Sequence, residues 1–339
     1  MPRIDRYYRN LYTSPAKRAM RALLLLLLSF LLIAGAAFGI RRLSASSFYR
    51  DAVQETGVPG LDSGLVPQGL AYLPEEDLYL ISGYRGEDGA ALLSYTSPDG
   101  TRQGLISLVK ENLESLILHC GGIAAGDDFL YIAGCDGYCY VVARDALLAT
   151  REAVLPVTGR FPAGNMADFC FFSDGHLYIG EFYHPVKFTT EKEHHIVTPA
   201  GDRHYALMLA YPKDREGAYG LAARADAAFS IPGRIQGGCR VGDTIILSAS
   251  SLFERTHLSF FNLQKAEKNL SEYHDGDTVL PLFHLDSHSL ESTRTLPPMS
   301  EGICIRNGNV SIVFESAARR FFSFGRLFGG ENLYSLPLP

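Results

Sequence analysis

The 339-residue chain is 47% apolar, has 33 Gly, 18 Tyr and 20 Phe but no Trp, and sets 31 Lys and Arg against 37 Asp and Glu. The apolar fraction is ample for a large core, and the missing Trp excludes repeats of the Trp-Asp type. Residues 1–42 carry a net charge of +7 and the remainder −13, which excludes nucleic acid as a partner of the bulk of the chain, because Lys and Arg on phosphate drive that affinity; an acidic globule suits cations or cationic ligands, or is simply soluble.

Residues 22–40 form an uncharged, mainly apolar run with basic residues crowded on its N-terminal side. That is the length of a membrane-crossing helix. The charge bias puts residues 1–21 in the cytoplasm and the globule outside. Arg41 and Arg42 after the run favour an uncleaved signal-anchor; a cleaved signal peptide, and hence a secreted protein, is the rival reading. Residues 41–60 read as a tether and closing strand, and residues 61–339 as one repeat domain.

That domain repeats one phrase five times: a Gly-rich or polar opening, an apolar strand, a turn, and a second apolar strand. The openings are Pro67-Gln68-Gly69-Leu70-Ala71, His119-Cys120-Gly121-Gly122-Ile123, Ala167-Asp168-Phe169-Cys170, Gln236-Gly237-Gly238-Cys239 and Ser300-Glu301-Gly302-Ile303-Cys304. Self-similarity of this kind predicts an all-β propeller of four-stranded blades. Third and fourth strands are expected at 91–95 and 104–109, 138–143 and 152–157, 205–211 and 227–231, and 257–263 and 278–285. The fifth unit reaches only 332–336, so residues 48–58 are expected to supply its outer strand and close the ring, removing two open sheet edges. Five blades follow; a degenerate sixth inside the insertion at 187–204 is the alternative count.

In such a ring the inner strands start at the rim to which the second strands return. Gln68, His119, Asp168, Gln236 and Glu301 therefore share a channel mouth with Arg85, Glu181, Glu315 and Arg319. A concave mouth with convergent polar groups is a ligand-site pattern. His119 reads as a satisfied histidine, a metal ligand or a general base. Asp168 and Glu301 near one axis repel each other; Arg85 or Arg319 relieves this as an ion pair, or a Ca²⁺ ion takes oxygens from Asp168, Glu301 and the two Gln carbonyls. Cys170, Cys239 and Cys304 read as buried small apolar groups. Cys135 and Cys139 flank an Asp-Gly turn, where a disulfide is the alternative to free thiols. His194 and His195 read as part of a solvated insertion.

The phrases Gln68-Gly69-Leu70-Ala71 and Glu301-Gly302-Ile303 resemble the repeats of calcium-dependent propellers of the gluconolactonase, paraoxonase and strictosidine-synthase-like group. That resemblance implies six blades and a metal-binding role for Glu301, with Asn165 offset from the rest of the metal set. The chain also resembles exported bacterial β-propeller proteins of unassigned activity, through Val66-Pro67-Gln68-Gly69-Leu70 and His119-Cys120-Gly121-Gly122-Ile123-Ala124. Three functions follow as expectations. The first is a membrane-tethered extracytoplasmic propeller binding a small molecule or protein at its mouth. The second is a Ca²⁺-dependent lactonase- or esterase-like hydrolase with His119 as base. The third is a glycosidase using Asp168, Glu181, Glu301 or Glu315, which requires carboxyls roughly 5–9.5 Å apart.

Overall fold

Two different hydropathy patterns yield two units, divided after Ser46 and each described by itself. A computed structural model describes residues 15–150, 153–250 and 256–338. In the first unit a 30-residue helix spans Pro15–Ser44, with Arg41 and Arg42 in its last turn where cations suit the helix dipole. Residues Arg18–Ser44 are long and apolar enough to cross a membrane. The helix exceeds the apolar run at its N-terminal end because Ala, Lys, Arg and Met are strong helix formers.

The second unit is a ring of five sheets. The first blade is Leu65–Leu73, Leu78–Arg85, Ala91–Thr96 and Gln103–Val109. The second is Gly122–Ala125, Phe129–Ala133, Tyr138–Ala143 and Gly159–Pro162, and the third begins Phe169–Ser173, His176–Gly180, Ala206–Pro212 and Ala227–Ile231. The fourth is Ile235–Val241, Thr244–Ala249, His257–Asn262 and Leu290–Thr295, and the fifth is Ser300–Arg306, Asn309–Phe314 and Asn332–Pro337, completed by Val53–Gly57. Each inner strand packs beside the next, and the fifth packs back on the first.

The repeated glycines are explained by the closeness of that ring. A Cβ on Gly69 would lie 2.4 Å from the Ile123 amide nitrogen of the second blade, and one on Gly302 2.2 Å from that of Leu70 in the first. Backbone occupies the space, so only Gly fits. Apolar side chains then fill the wedges between blades: Leu80, Leu93, Ile123 and Ile132 between the first and second, Leu177, Ile179, Leu207 and Val141 between the second and third.

The ring closes as expected, with Val53 opposite Ser335 and Gly57 opposite Asn332 in an antiparallel pair. Glu55 of the closing strand accepts from Tyr79 of the first blade (2.5 Å) and from Arg306 of the fifth (3.1 Å). Phe48, buried in the short helix Ser46–Asp51, packs on Tyr334 and Phe314.

Two strand expectations are corrected. Val154–Pro156 adds in parallel to the outer strand of the first blade, and Gly159–Pro162 completes the second. Thr278–His284 adds in parallel to Ala227–Ile231, carrying Ser271–Asp275 with it, so the third sheet has six strands and Leu290–Thr295 completes the fourth blade. The third and fourth strands of the second blade are joined through a short helix, Arg144–Ala149. The insertion at 187–204 holds only a 3-10 turn and a two-stranded ribbon, Ile196–Val197 with Arg203–His204, so no sixth blade forms. All six cysteines are unbridged. The Cys135–Cys139 disulfide is not made: the Cys135 thiol donates toward the Asp168 carbonyl, and Cys139 is buried in the wedge with Cys170.

Candidate functional site

The polar-Gly dipeptides of the first, fourth and fifth blades are β-bulges. Pairing jumps from Pro67 to Gly69, from Ile235 to Gly237 and from Ser300 to Ile303. The extra residues are Gln68, Gln236 and the Glu301-Gly302 step. A bulge re-aims its side chain and releases its backbone from the ladder, and here it turns all three polar side chains into one network.

Gln68 is 3% exposed, and its amide nitrogen donates to the Pro67 carbonyl and to Glu315 Oε2, both at 2.9 Å. Its carbonyl oxygen therefore accepts from His119 Nε2, also 2.9 Å away. This fixes His119 as the Nε2-protonated tautomer. Gln236 donates to Glu301 Oε1 at 3.0 Å. Glu301 is fully buried, and its second oxygen, Oε2, has no donor. The Glu315 carboxyl lies beside Glu301, and the contact becomes a hydrogen bond when one of the two carries a proton. The result is a continuous chain: His119, Gln68, Glu315, Glu301, Gln236.

Electrostatics follow from that geometry. Burial, then the Glu315 charge, pushes Glu301 well above the usual carboxylate range. Burial raises half-buried Glu315 to about 7, against the pull of Gln68, Glu301 and Arg320. His119 stacks on Tyr84 with ring centroids 4.5 Å apart, and Arg320 lies over the Tyr84 ring, 5.4 Å from its centroid. His119 is exposed to solvent, though protein also crowds it. Desolvation and then Arg320 lower its pKa to about 4, so it is a neutral ring at physiological pH rather than a group poised near neutrality.

Asp168 and Glu181 belong elsewhere. Asp168 accepts from the Phe182 amide at 2.7 Å, and burial followed by the Glu181 charge raises it to about 6. Glu181 accepts from the Leu207 amide (3.0 Å), the Met166 amide (3.4 Å) and His194 Nδ1 (2.9 Å). His194 Nε2 meets the Tyr273 hydroxyl at 3.1 Å. His194 is thus buried and paired, which corrects its reading as solvated: the inserted segment folds back over the third blade. Arg85 forms an exposed pair with Asp88 at 3.0 Å and neutralises no mouth carboxylate; Arg320, one residue past Arg319, is the cation that His119 and Glu315 feel.

The calcium expectation does not fit this donor set. Asp168 and Glu301 have no hydrogen-bond partner in common, and the Gln68 carbonyl is engaged by His119. Asn165 is spent on backbone, donating to the Ile179 carbonyl and accepting from the Ala167 amide. Among the described residues no three His, Cys, Asp or Glu converge as a metal-holding group.

The sequence does not single out Tyr84, Arg320 or Tyr273. Tyr84 and Arg320 adjoin residues it does single out, so their signal is proximity; Tyr273, like the partner it finds in His194, lies in an insertion with no repeat to mark it.

No family model matches the chain, and no curated protein matches it. Among solved structures it is similar to the glutaminyl cyclase of Myxococcus xanthus, at 12% identity and TM-score 0.43 over 84% of this chain and 95% of that one. It is similar to a gluconolactonase of Xanthomonas campestris, at 12% and 0.37 over 85% and 86%. It is also similar to BamB of Moraxella catarrhalis, at 9% and 0.35 over 81% and 83%. The five-blade assignment rests on the strand pairing itself.

Proposed function

We propose that this chain is a membrane-tethered propeller, held outside the cytoplasm by its N-terminal helix, that binds a small ligand with a cationic or hydrogen-bond-donating group at its mouth. One observation carries the reading: a hydrogen-bonded chain from solvent-open His119 to Glu315, backed by a buried Glu301 oxygen that no protein donor reaches. Buried acceptors are almost always paired, so two abutting carboxyls call for a proton or a positively charged guest. The acidic balance of residues 43–339 favours the same guest. The basic residues preceding the apolar run support the orientation.

Calorimetric titration of the full chain in detergent with putrescine, a diamine, against 1,4-butanediol, its uncharged analogue, tests the reading. Putrescine is expected to bind with proton release, because it displaces the proton shared by Glu301 and Glu315. The diol is expected not to bind, and Glu315→Gln to abolish the putrescine heat. Binding that survives Glu315→Gln, or no binding by the parent chain, overturns it.

A further inference from the structure

Large apolar side chains are exposed at several places on the propeller, Val53, Leu113, Ile117 and Val197 among them. Val186 is 82% exposed, Phe322 96% and Leu327 65%. All three lie in connections between second and third strands, of the third and fifth blades, and so on the mouth rim. The first tip is a tight turn in which His184 and Phe188 exchange backbone hydrogen bonds, presenting Val186 and Lys187 outward. The second is a run of 3-10 turns in which Phe322 and Ser323 both take left-handed φ, 54° and 53°. The Phe322 and Ser323 amides are fixed to the Arg319 and Ala318 carbonyls, so the backbone holds Phe322 out in solvent. A bulky residue in that conformation is strained, and nothing in the fold rewards it.

Charge accompanies the apolar tips. Residues 182–190 and 316–330 contain no Asp or Glu, while Lys187, Arg319 and Arg320 lie among them within a domain that is acidic overall; Arg326, also there, is paired with Asp62 at 2.7 Å. Apolar tips set among basic side chains are the pattern of lipid-interface binding. The rim is also where the chain joins the propeller: Phe48 packs on Phe314, and the Tyr49 hydroxyl donates to the Phe328 carbonyl. Only a few residues separate these from the end of the apolar helix at Ser44.

We infer that the mouth rim docks on an anionic bilayer surface through the Val186–Lys187 tip and the Arg319–Leu327 segment, so that the mouth opens toward lipid. This rests on the anchoring reading above, and its test separates the two. The chain has no Trp, so Phe322→Trp is a single reporter. The full chain is reconstituted into vesicles of phosphatidylcholine and phosphatidylglycerol in equal parts, with and without brominated acyl chains. Trp at 322 is expected to emit at shorter wavelength and to lose roughly half its intensity to bromolipid. Leu148→Trp, in the short helix between third and fourth strands and so on the opposite rim, is expected to lose none. Adding Lys187→Glu and Arg319→Glu should restore most of the emission at 322.

Docking is overturned if chains that float with the vesicles show no quenching at 322, or equal quenching at 148. It is overturned in favour of a second copy or another protein if emission shifts with protein concentration but not with bromolipid. Flotation after alkaline carbonate reports the anchor alone. Chains released by carbonate yet quenched beforehand lose the anchor and keep the docking; chains that never float lose both.

Discussion

Two buried polar clusters in this ring are built from similar residues and end differently. Around the third blade, Glu181 receives two backbone amides and His194, and His194 passes on to Tyr273. At the mouth, Glu301 receives one amide from Gln236, has a second oxygen with no donor, and abuts a second carboxyl, Glu315. The first cluster satisfies itself and fixes an inserted segment to the blade. The second needs a proton or a guest. A satisfied polar network specifies structure, whereas an incomplete one stores a cost that a ligand can relieve.

The largest expected effect breaks the satisfied cluster. Glu181→Ala leaves the His194 ring and two backbone amides without their acceptor, and should cost about 3–5 kcal/mol in denaturant unfolding. A loss under one kcal/mol would show that the cluster is not what holds the insertion. The next effect has the opposite sign. Glu301 and Glu315 titrate above their ordinary value of 4.5, Glu315 at about 7. The pair therefore stabilises the fold fully below pH 4.5, and that contribution is lost as pH rises through about 7. Glu301→Gln supplies an amide donor to Glu315 at any pH, so it should raise stability at pH 8 by about 1–3 kcal/mol and flatten the profile between pH 5 and 8. Unfolding curves at the two pH values read this directly; an unchanged slope defeats the shared-proton account.

A smaller effect compares titration in the two clusters. Burial opposes charge on His194, but Glu181 outweighs it and raises the pKa above 6.5. Its stabilisation is therefore present below pH 6.5 and fades as pH rises through the raised value. His194→Gln keeps a donor for Glu181, should cost about 1 kcal/mol at pH 6, and should remove that fading. The smallest effect is Gln236→Leu, which removes one donor from Glu301 and should cost about 0.5–1.5 kcal/mol. Nearly equal costs for Gln236→Leu and Glu181→Ala would erase the distinction between the clusters.

The contrast also marks what the amino-acid sequence reveals. The mouth is legible because a bulge on an inner strand needs a polar residue followed by Gly, and Gln68-Gly69, Gln236-Gly237 and Glu301-Gly302 announce it. Five blades and the closing strand follow from the same phrase. Glu181 was visible at the end of its strand, but its partners were not, because His194 and Tyr273 sit in insertions whose docking is tertiary. Val154–Pro156 and Thr278–His284 were assigned to the wrong blades for a related reason: a strand added in parallel to an outer edge leaves no turn signal to name its neighbour. The calcium expectation joins Glu301 to Asp168, whereas Glu301 abuts Glu315 from its own blade, a partner that the repeat does not mark.

The closing strand carries a consequence for the order of events during synthesis. Val53 pairs with Ser335 across nearly the whole domain, so the fifth blade stays incomplete until the last strand has left the ribosome. Contacts so distant along the chain form slowly. Until they form, the edge of Asn309–Phe314 and the apolar face around Phe48 are uncovered, as in other partly built β-structures prone to aggregate. The ring's most fragile moment is therefore its closure, and a nascent chain stalled before Asn332 would be the species a chaperone has to hold.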